Sequence, residues 1–413
     1  MFSKSALFLK KHDYLFIVLI LLSFYFLIVT SLGYLGNLNQ LLFSMPDAQS
    51  YLSVGKWILG ATDPVNPLIR PVLYPALLDF FLAVGGNYAV WGFQFVLWIL
   101  SGTLLYRSIK SSTGNLFLAG AGLILYAGNL TLLLLTLHAL TEITTVFLLV
   151  ILVSVVLARS TVDVRYYWTL ILFILSLLTI TRPVFLPLWA IVLLYSLVIL
   201  IGRTKPGRRR TFFVCVCLAS LPVVFQLALM VVNFHQFTIS NIGPTTLKTY
   251  FLARVYGVIN SLSLTQARGV IATWGPGQVV GYLWDHAGTS VLVYFKTILE
   301  NFLSRSNFTN SPASHIYIAI YMRLVNILYF TGHIIMLLPI IVVLSNRLRK
   351  KDWADVELMV SLLLPIWLIF MSSGISFSQG DRLILPALPI CIVLYAYDLS
   401  RYHSLRSKLQ LQP

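Results

Sequence analysis

Two acidic residues stand out in this sequence because each lies beside a long apolar run. Asp47 follows the first such run, and Tyr51 comes four residues after it. Glu142 lies one turn into a later run, where Leu or Ile would carry no penalty. A charge at the centre of a bilayer costs ~3 kcal/mol, so acids beside a membrane are candidates for chemistry. Asp47 is the strongest candidate, whereas Glu142 fits equally well as a carboxylate stabilised by its helix dipole.

Arginine side chains suggest a second kind of chemistry. Arg182 and Arg382 lie at the ends of apolar runs, and a guanidinium group can bind a phosphate or pyrophosphate through two hydrogen bonds at once. Two alternatives remain open for each. The side chain could reach the lipid headgroups, or it could pair with an acid, for which Asp381 is the obvious neighbour of Arg382. Weaker candidates for the same role are Arg70, Lys56 and Lys248.

The apolar runs that must position these residues dominate the composition. Hydrophobic residues make up 58% of the 413 and charged residues 10%, against about 25% charged in a soluble domain. A helix rises ~1.5 Å per residue and must cross ~30 Å of hydrocarbon, so runs of about twenty apolar residues predict spanning helices. The sequence therefore predicts an all-α polytopic membrane protein. Its ten predicted transmembrane helices cover residues 14–32, 88–109, 115–135, 138–158, 166–180, 184–202, 211–233, 318–344, 356–372 and 383–400.

The basic residues orient these helices. Most of the 29 Lys and Arg residues fall in short segments on the same side as both termini, which the positive-inside rule assigns to the cytoplasm. Two long segments, 33–87 and 234–317, then face outside, and Asp47 and Glu142 lie on that side. A single kinked crossing in place of the fifth and sixth helices would put the most basic segment outside. We therefore expect two short helices that meet near the outer surface at Arg182.

The two outer segments have helical rather than linker-like patterns. Residues 47–60 and 72–84 show amphipathic spacing, as expected of helices that lie in the outer interface of the membrane. Apolar residues recur at three-and-four spacing around 247–260 and 289–303. We expect a single transmembrane domain over residues 1–413, without a separate soluble domain.

Charge, cysteines and histidines argue against other classes. The formal charge of +16 is distributed over short segments between apolar runs rather than on one face of a soluble module, so we predict no nucleic-acid binding. The three cysteines lie within apolar runs, which is typical of small core residues rather than of a zinc or disulfide framework. The histidines show no metal-ligand spacing. We therefore predict no metal ligands.

Several short motifs, taken in order, resemble those of the GT-C glycosyltransferases, specifically the branch containing protein O-mannosyltransferases and the lipid A aminoarabinose transferase. Members carry an acid in the first outer loop, followed by an aromatic residue and a juxtamembrane helix. A proline-tyrosine-proline segment, a glutamate at the start of the fourth span, short paired helices and a late arginine before a proline-spaced final span come next. The similar stretches here are 47–51, 54–60, 70–78, Thr141-Glu142, 181–183 and 381–389.

The resemblance implies transfer of a sugar from a polyprenyl-phosphate carrier to a lipid, glycan or protein acceptor at the outer, periplasmic face. Asp47 would be the general base for the acceptor hydroxyl, and Glu142, Tyr51 and Tyr74 would bind substrate. The residues implied to hold the leaving lipid phosphate are Arg382, Arg182, Lys248 and Arg70. Direct displacement with inversion at the anomeric carbon is also implied. No cofactor is certain, and a divalent cation stays open.

Three features depart from the family pattern. Ala48 stands where many relatives have a second acid, Leu383 replaces a frequent tyrosine, and no stretch resembles the large soluble C-terminal domain of several branches. The acceptor therefore stays open. The alternative function is a polytopic transporter or lipid-linked sugar flippase, for which ionisable groups near the midplane and repeated halves are typical. The predicted position of acids and arginines at outer helix ends favours the enzyme.

Overall fold

The computed structural model describes residues 2–58, 70–159, 163–202, 206–304, 316–376 and 379–410. Within these ranges every regular element is helical, which confirms the predicted all-α class. The α-helices are α1 (Phe2–Ser31), α2 (Leu38–Leu42), α3 (Pro46–Ile58), α4 (Leu73–Thr113), α5 (Leu116–Ala127), α6 (Leu130–Leu134), α7 (Glu142–Leu157), α8 (Val164–Thr179), α9 (Leu186–Gly202), α10 (Pro206–Phe234), α11 (Ile242–Thr246), α12 (Ala253–Asn260), α13 (Leu264–Ile271), α14 (Pro276–Asp285), α15 (Ala287–Leu303), α16 (Ile316–Arg349), α17 (Trp353–Ser373) and α18 (Leu388–Gln410).

Helices overlap all ten of the predicted spans. Among the described residues, five helices are long and apolar enough to cross a membrane, and the bent pair Leu116–Ala127 and Leu130–Leu137 would make a sixth. Two apolar helices, Glu142–Leu157 and Tyr166–Thr179, fall below the ~20 residues that ~30 Å of hydrocarbon requires, whereas the apolar stretch Leu15–Ser31 is part of the 30-residue helix α1. The chain is an integral multi-pass membrane protein, and the number of ten crossings stays a prediction.

Helix α7 lies at the centre of the bundle. It packs against α4, α8, α17 and α18, and most of its residues are buried. Glu142, the first residue of α7, is buried with them. Because a buried charge without compensation is costly, this position requires a partner for the carboxylate.

Helix α3 and the first part of α4 form the wall that carries Asp47. The two backbones meet at Gly55, where a Cβ would lie 2.7 Å from the carbonyl oxygen of Pro75, so only glycine permits this approach. Helix α4 then breaks at Gly86, whose positive φ of 64° is readily adopted by glycine. The break follows the amphipathic segment predicted at 72–84 and separates it from the spanning part of the helix.

The second outer segment folds into a small helical lobe, formed by α11 to α15, as its apolar spacing predicts. Arg254 on α12 and Glu300 on α15 close the lobe with two hydrogen bonds of 2.7 Å. Helix α15 also packs against α16, α17 and the 3-10 turn Gly380–Leu383. The lobe is thereby connected to the turn that carries Arg382. One buried cluster of the lobe consists of Leu252, Ala253, Ala267, Ile271 and Val279, and a second consists of Phe251, Val255 and Val293.

Candidate functional site

A cavity of about 330 Å³ lies where both outer segments meet the helix bundle. Its walls come from regions far apart in sequence: the start of α3, the start of α7, the connection between α8 and α9, the lobe at α11, and the stretch after α17. Polar and charged groups in an otherwise apolar bundle are typical of a binding site. Six of the eight predicted site residues line the cavity: Asp47, Tyr51, Arg70, Glu142, Arg182 and Arg382.

The carboxylate of Asp47 is shared between two arginines. Its Oδ1 accepts a hydrogen bond from Nη2 of Arg70 at 2.7 Å, and its Oδ2 accepts one from Nη2 of Arg382 at 2.5 Å. Burial raises the pKa of Asp47, but the two guanidinium charges outweigh burial and hold that pKa below its ordinary value. Asp47 is therefore ionised at neutral pH, and 33% of its side chain remains exposed.

Three neighbours on α3 fix Arg70. Its Nε donates to Oγ of Ser50 at 2.9 Å and its Nη1 donates to the hydroxyl of Tyr51 at 3.1 Å, besides the ion pair with Asp47. The guanidinium carbon lies 4.5 Å from the centroid of the Tyr51 ring. Residues three and four positions apart share one face of a helix, so this spacing presents all three side chains to the same arginine.

Arg382 reaches Asp47 from a 3-10 turn that precedes the last helix. The neighbouring acid, Asp381, has a different role. Its Oδ2 accepts hydrogen bonds from Thr131 at 2.8 Å and from Asn326 at 2.9 Å. Asp381 thus ties the turn to α6 and α16, while Arg382 extends to the cavity.

Glu142 and Arg182 form a second ion pair in the same cavity. Oε1 of Glu142 accepts a hydrogen bond from Nη2 of Arg182 at 2.9 Å, and the two side chains are 4% and 17% exposed. Arg182 lies in the break between α8 and α9, where the sequence predicts two short helices to meet. Oε2 of Glu142 is buried and has no hydrogen-bond partner in the described part of the chain. Since an unpaired buried oxygen is costly, this atom is a candidate acceptor for a substrate hydroxyl.

Two predicted site residues lie outside the cavity wall. Tyr74 is buried behind Tyr51, and the centroids of the two rings are 5.1 Å apart. Nζ of Lys248 donates to the carbonyl oxygens of Ala272 and Trp274 at 2.7 and 2.8 Å. Tyr74 therefore supports a residue of the cavity, and Lys248 joins two parts of the outer lobe.

Neutral polar residues complete the cavity, and no role in binding is predicted for them from the sequence, although Thr141 and Thr181 lie in two of its motifs. Gln379 accepts a hydrogen bond from Arg382, and Oγ1 of Thr141 lies 3.4 Å from the hydroxyl of Tyr51. A cluster of serines at the end of the ninth predicted span, Ser372, Ser373 and Ser376, is the sequence signal that could have found further residues of the cavity wall. The further hydroxyl-bearing residues on the wall are Thr181, Thr246, Tyr250, Ser372, Ser373 and Ser376.

No group of three His, Cys, Asp or Glu side chains comes together anywhere in the residues that the structure describes. The two carboxylates that line the cavity, Asp47 and Glu142, each lie against an arginine. A guanidinium group at a carboxylate competes with a metal ion for the same oxygens. A divalent cation at this site stays a hypothesis from the resemblance alone.

No protein-family model matches the chain, and no curated protein matches it. Among solved structures, the chain is similar to the crystal structure of ArnT from Cupriavidus metallidurans bound to undecaprenyl phosphate, with a TM-score of 0.49 and 12% sequence identity. The similarity covers 94% of this chain and 60% of that one, so this chain spans less than two thirds of its length. The contacts described above are those of this chain alone.

Proposed function

We propose that this chain is a membrane glycosyltransferase that moves a sugar from a polyprenyl-phosphate carrier to an acceptor hydroxyl. The proposal depends on one observation: Asp47 lies between Arg70 and Arg382 on the wall of a polar cavity in an apolar bundle. A hydroxyl that attacks must lose a proton while a phosphate that leaves gains negative charge. A carboxylate beside arginines supplies both the proton acceptor and the stabilising charge.

The reaction is a single displacement. The acceptor oxygen forms a bond to the anomeric carbon, and its proton passes to Asp47. The bond between the anomeric carbon and the phosphate oxygen breaks, and its electron pair goes to the phosphate. Arg382 and Arg70 stabilise the charge that develops there, with Arg182 elsewhere on the cavity wall. Attack from the side opposite the leaving group inverts the anomeric configuration.

We assign Glu142 and the hydroxyl-bearing wall to the transferred sugar. A sugar offers several hydroxyl donors, and the unpaired Oε2 of Glu142 is a buried acceptor. Thr141 and Tyr51 lie next to it and can orient the ring by hydrogen bonding and packing. The acceptor of the sugar, whether lipid, glycan or protein, enters from the side on which Asp47 is exposed.

The carrier places its phosphate in the cavity and its tail in the bilayer. Apolar side chains form part of the wall and suit the first isoprene units of the tail. The positive-inside rule puts both termini in the cytoplasm and the cavity at the outer, periplasmic face. The apolar wall residues that suit the carrier tail include Val184, Ile242, Ile369, Ile375 and Leu383.

Sugar transfer by the purified chain in proteoliposomes tests the proposal. Radiolabelled polyprenyl-phosphate hexoses and pentoses serve as donors, and a membrane lipid extract serves as acceptor. We expect a labelled product with the wild type and none with Asp47→Asn. Full transfer by a folded Asp47→Asn protein would remove Asp47 as the base. Movement of labelled carrier across the bilayer without transfer would instead support the flippase alternative.

A further inference from the structure

The arginines of the proposed phosphate site are engaged by a carboxylate of the chain itself. Arg70 directs its three guanidinium nitrogens at Asp47, Ser50 and Tyr51. Arg382 donates to the other oxygen of Asp47. The two arginine side chains are only 13% and 8% exposed, whereas that of Asp47 is 33% exposed. A phosphate that enters the cavity therefore meets guanidinium groups that already donate hydrogen bonds to Asp47.

We propose that Asp47 occupies the anion site of the resting protein, and that the carrier phosphate displaces it by taking over Arg70 and Arg382. The proposal rests on the proposed function for the identity of the phosphate. A phosphate presents more acceptor oxygens and more charge than a carboxylate, and its geometry fits the guanidinium fork. The exchange moves two N–H···O hydrogen bonds from carboxylate oxygens to phosphate oxygens. No covalent bond changes.

The exchange alters the strength of Asp47 as a base. While both guanidinium groups hold the carboxylate, its pKa stays below its ordinary value and it attracts a proton weakly. Transfer of the two arginines to a phosphate removes that effect, so the pKa of Asp47 rises. The carboxylate then becomes an effective base only while a donor is bound. In the absence of a donor, the same pairing keeps water near Asp47 from being activated.

The second ion pair of the cavity does not take part in the exchange. The carboxylate of Glu142 is 4% exposed against 33% for Asp47, so Glu142 has less room to move away from its arginine. Asp47, in contrast, lies in the first turn of α3 with its side chain partly open. Displacement is therefore confined to the carboxylate that acts as the base, while Glu142 keeps its position for the sugar.

Binding of farnesyl phosphate to the full chain in detergent micelles tests the exchange. Asp47→Asn removes the competing charge, so we expect it to bind farnesyl phosphate about tenfold more tightly than the wild type. Asp79→Asn is the matched control, because Asp79 lies in the same outer segment but not on the cavity wall. This control should bind like the wild type. Farnesol, which lacks the phosphate, should bind all three proteins equally.

Inorganic phosphate distinguishes the headgroup from the lipid. If Asp47→Asn also binds inorganic phosphate more tightly, the exchange needs the phosphate alone. If only farnesyl phosphate shows the gain, the exchange needs the lipid tail to place the phosphate. Both results support the displacement. Equal or weaker binding of both phosphates by Asp47→Asn, at an unchanged unfolding temperature, would overturn it.

A structure of the wild type with farnesyl phosphate bound gives a reading that does not depend on a variant. The distance from Oδ1 of Asp47 to Nη2 of Arg70, now 2.7 Å, should exceed the hydrogen-bonding range. An ion pair that persists beside a bound phosphate would contradict the exchange. The binding assay measures no sugar transfer, so failure of the proposed function and failure of the exchange are distinguishable.

Discussion

Arg382 donates a hydrogen bond to Asp47 across 335 positions of sequence. Arg70 donates to the same carboxylate from only 23 positions away. One contact is made within the first outer segment, and the other requires that the last helices have packed against it. The site at Asp47 is therefore complete only in the fully folded bundle.

Replacing Asp47 by asparagine should lower the rate of sugar transfer by about 10³-fold, because an amide cannot accept the proton of the acceptor hydroxyl. The rate constant at saturating donor is the quantity to measure. Asp79→Asn, the same change outside the cavity, should keep the wild-type rate. Wild-type turnover by a folded Asp47→Asn protein would contradict the assignment.

Replacing Arg382 by alanine should weaken donor binding about tenfold, because its guanidinium group binds the donor phosphate. We expect the effect on donor affinity to be larger than the effect on stability. The donor dissociation constant and the unfolding curve are measured on the same preparation. Arg401→Ala, on the last helix and outside the cavity wall, provides the control and should bind donor normally. Unchanged donor affinity in Arg382→Ala would leave that arginine a structural role only.

The pH dependence of the reaction should reveal the arginines around Asp47. A base acts when deprotonated, and the pKa of Asp47 lies below its ordinary value. We therefore expect kcat/KM to stay constant as the pH falls, and to decrease only when the pH approaches that lowered pKa. Arg70→Gln removes one positive charge, which raises the pKa of Asp47 and moves the acid limb to higher pH. Arg182→Gln, whose ion pair is with Glu142, should leave the acid limb in place. A shift of the limb to lower pH in Arg70→Gln would refute this.

The buried pair of Glu142 and Arg182 should show strong coupling. Breaking such a pair from one side costs about 3–5 kcal/mol because the remaining charge is left uncompensated. Glu142→Gln and Arg182→Met should each destabilise the protein, and the double variant should lose less than the sum, with a coupling of about 1–3 kcal/mol. Free energies of unfolding in detergent measure this. Additive losses would mean that the pair is not a unit.

The orientation of the chain can be tested by labelling single cysteines. Trp284 is 81% exposed on the outer lobe, and Arg208 is exposed at the start of α10. In a background without the native cysteines, Trp284→Cys should react with an impermeant maleimide in intact cells. Arg208→Cys should react only after the membrane is opened. The opposite pattern would reverse the predicted topology.

Features set by local pattern could be predicted from the sequence. The spacing of Asp47 and Tyr51 places both on one helix face, and that face meets Arg70. The break at Arg182 was predictable because two short helices satisfy the positive-inside rule. Apolar runs also located the helices, although α7 and α8 are shorter than a straight crossing requires.

Pairings between distant segments could not be predicted in the same way. Sequence adjacency offers Asp381 as the partner of Arg382, yet successive side chains on a 3-10 turn point about 120° apart. Asp381 therefore meets Asn326, and Arg382 meets Asp47. Lys248 has the charge expected of a phosphate ligand, but no local pattern indicates which carbonyl oxygens it will meet. Such outcomes depend on how the outer lobe packs.

The approach of α3 to α4 at Gly55 offers a way to adjust activity without altering any charged group. Gly55 has no side chain and takes no part in the chemistry, but a Cβ there would lie 2.7 Å from the carbonyl oxygen of Pro75. A methyl group would push α3 outward, and Asp47, at the start of the same helix, would move with it. Side chains of increasing size at this one backbone contact would displace Asp47 further and lower the activity of the protein in steps.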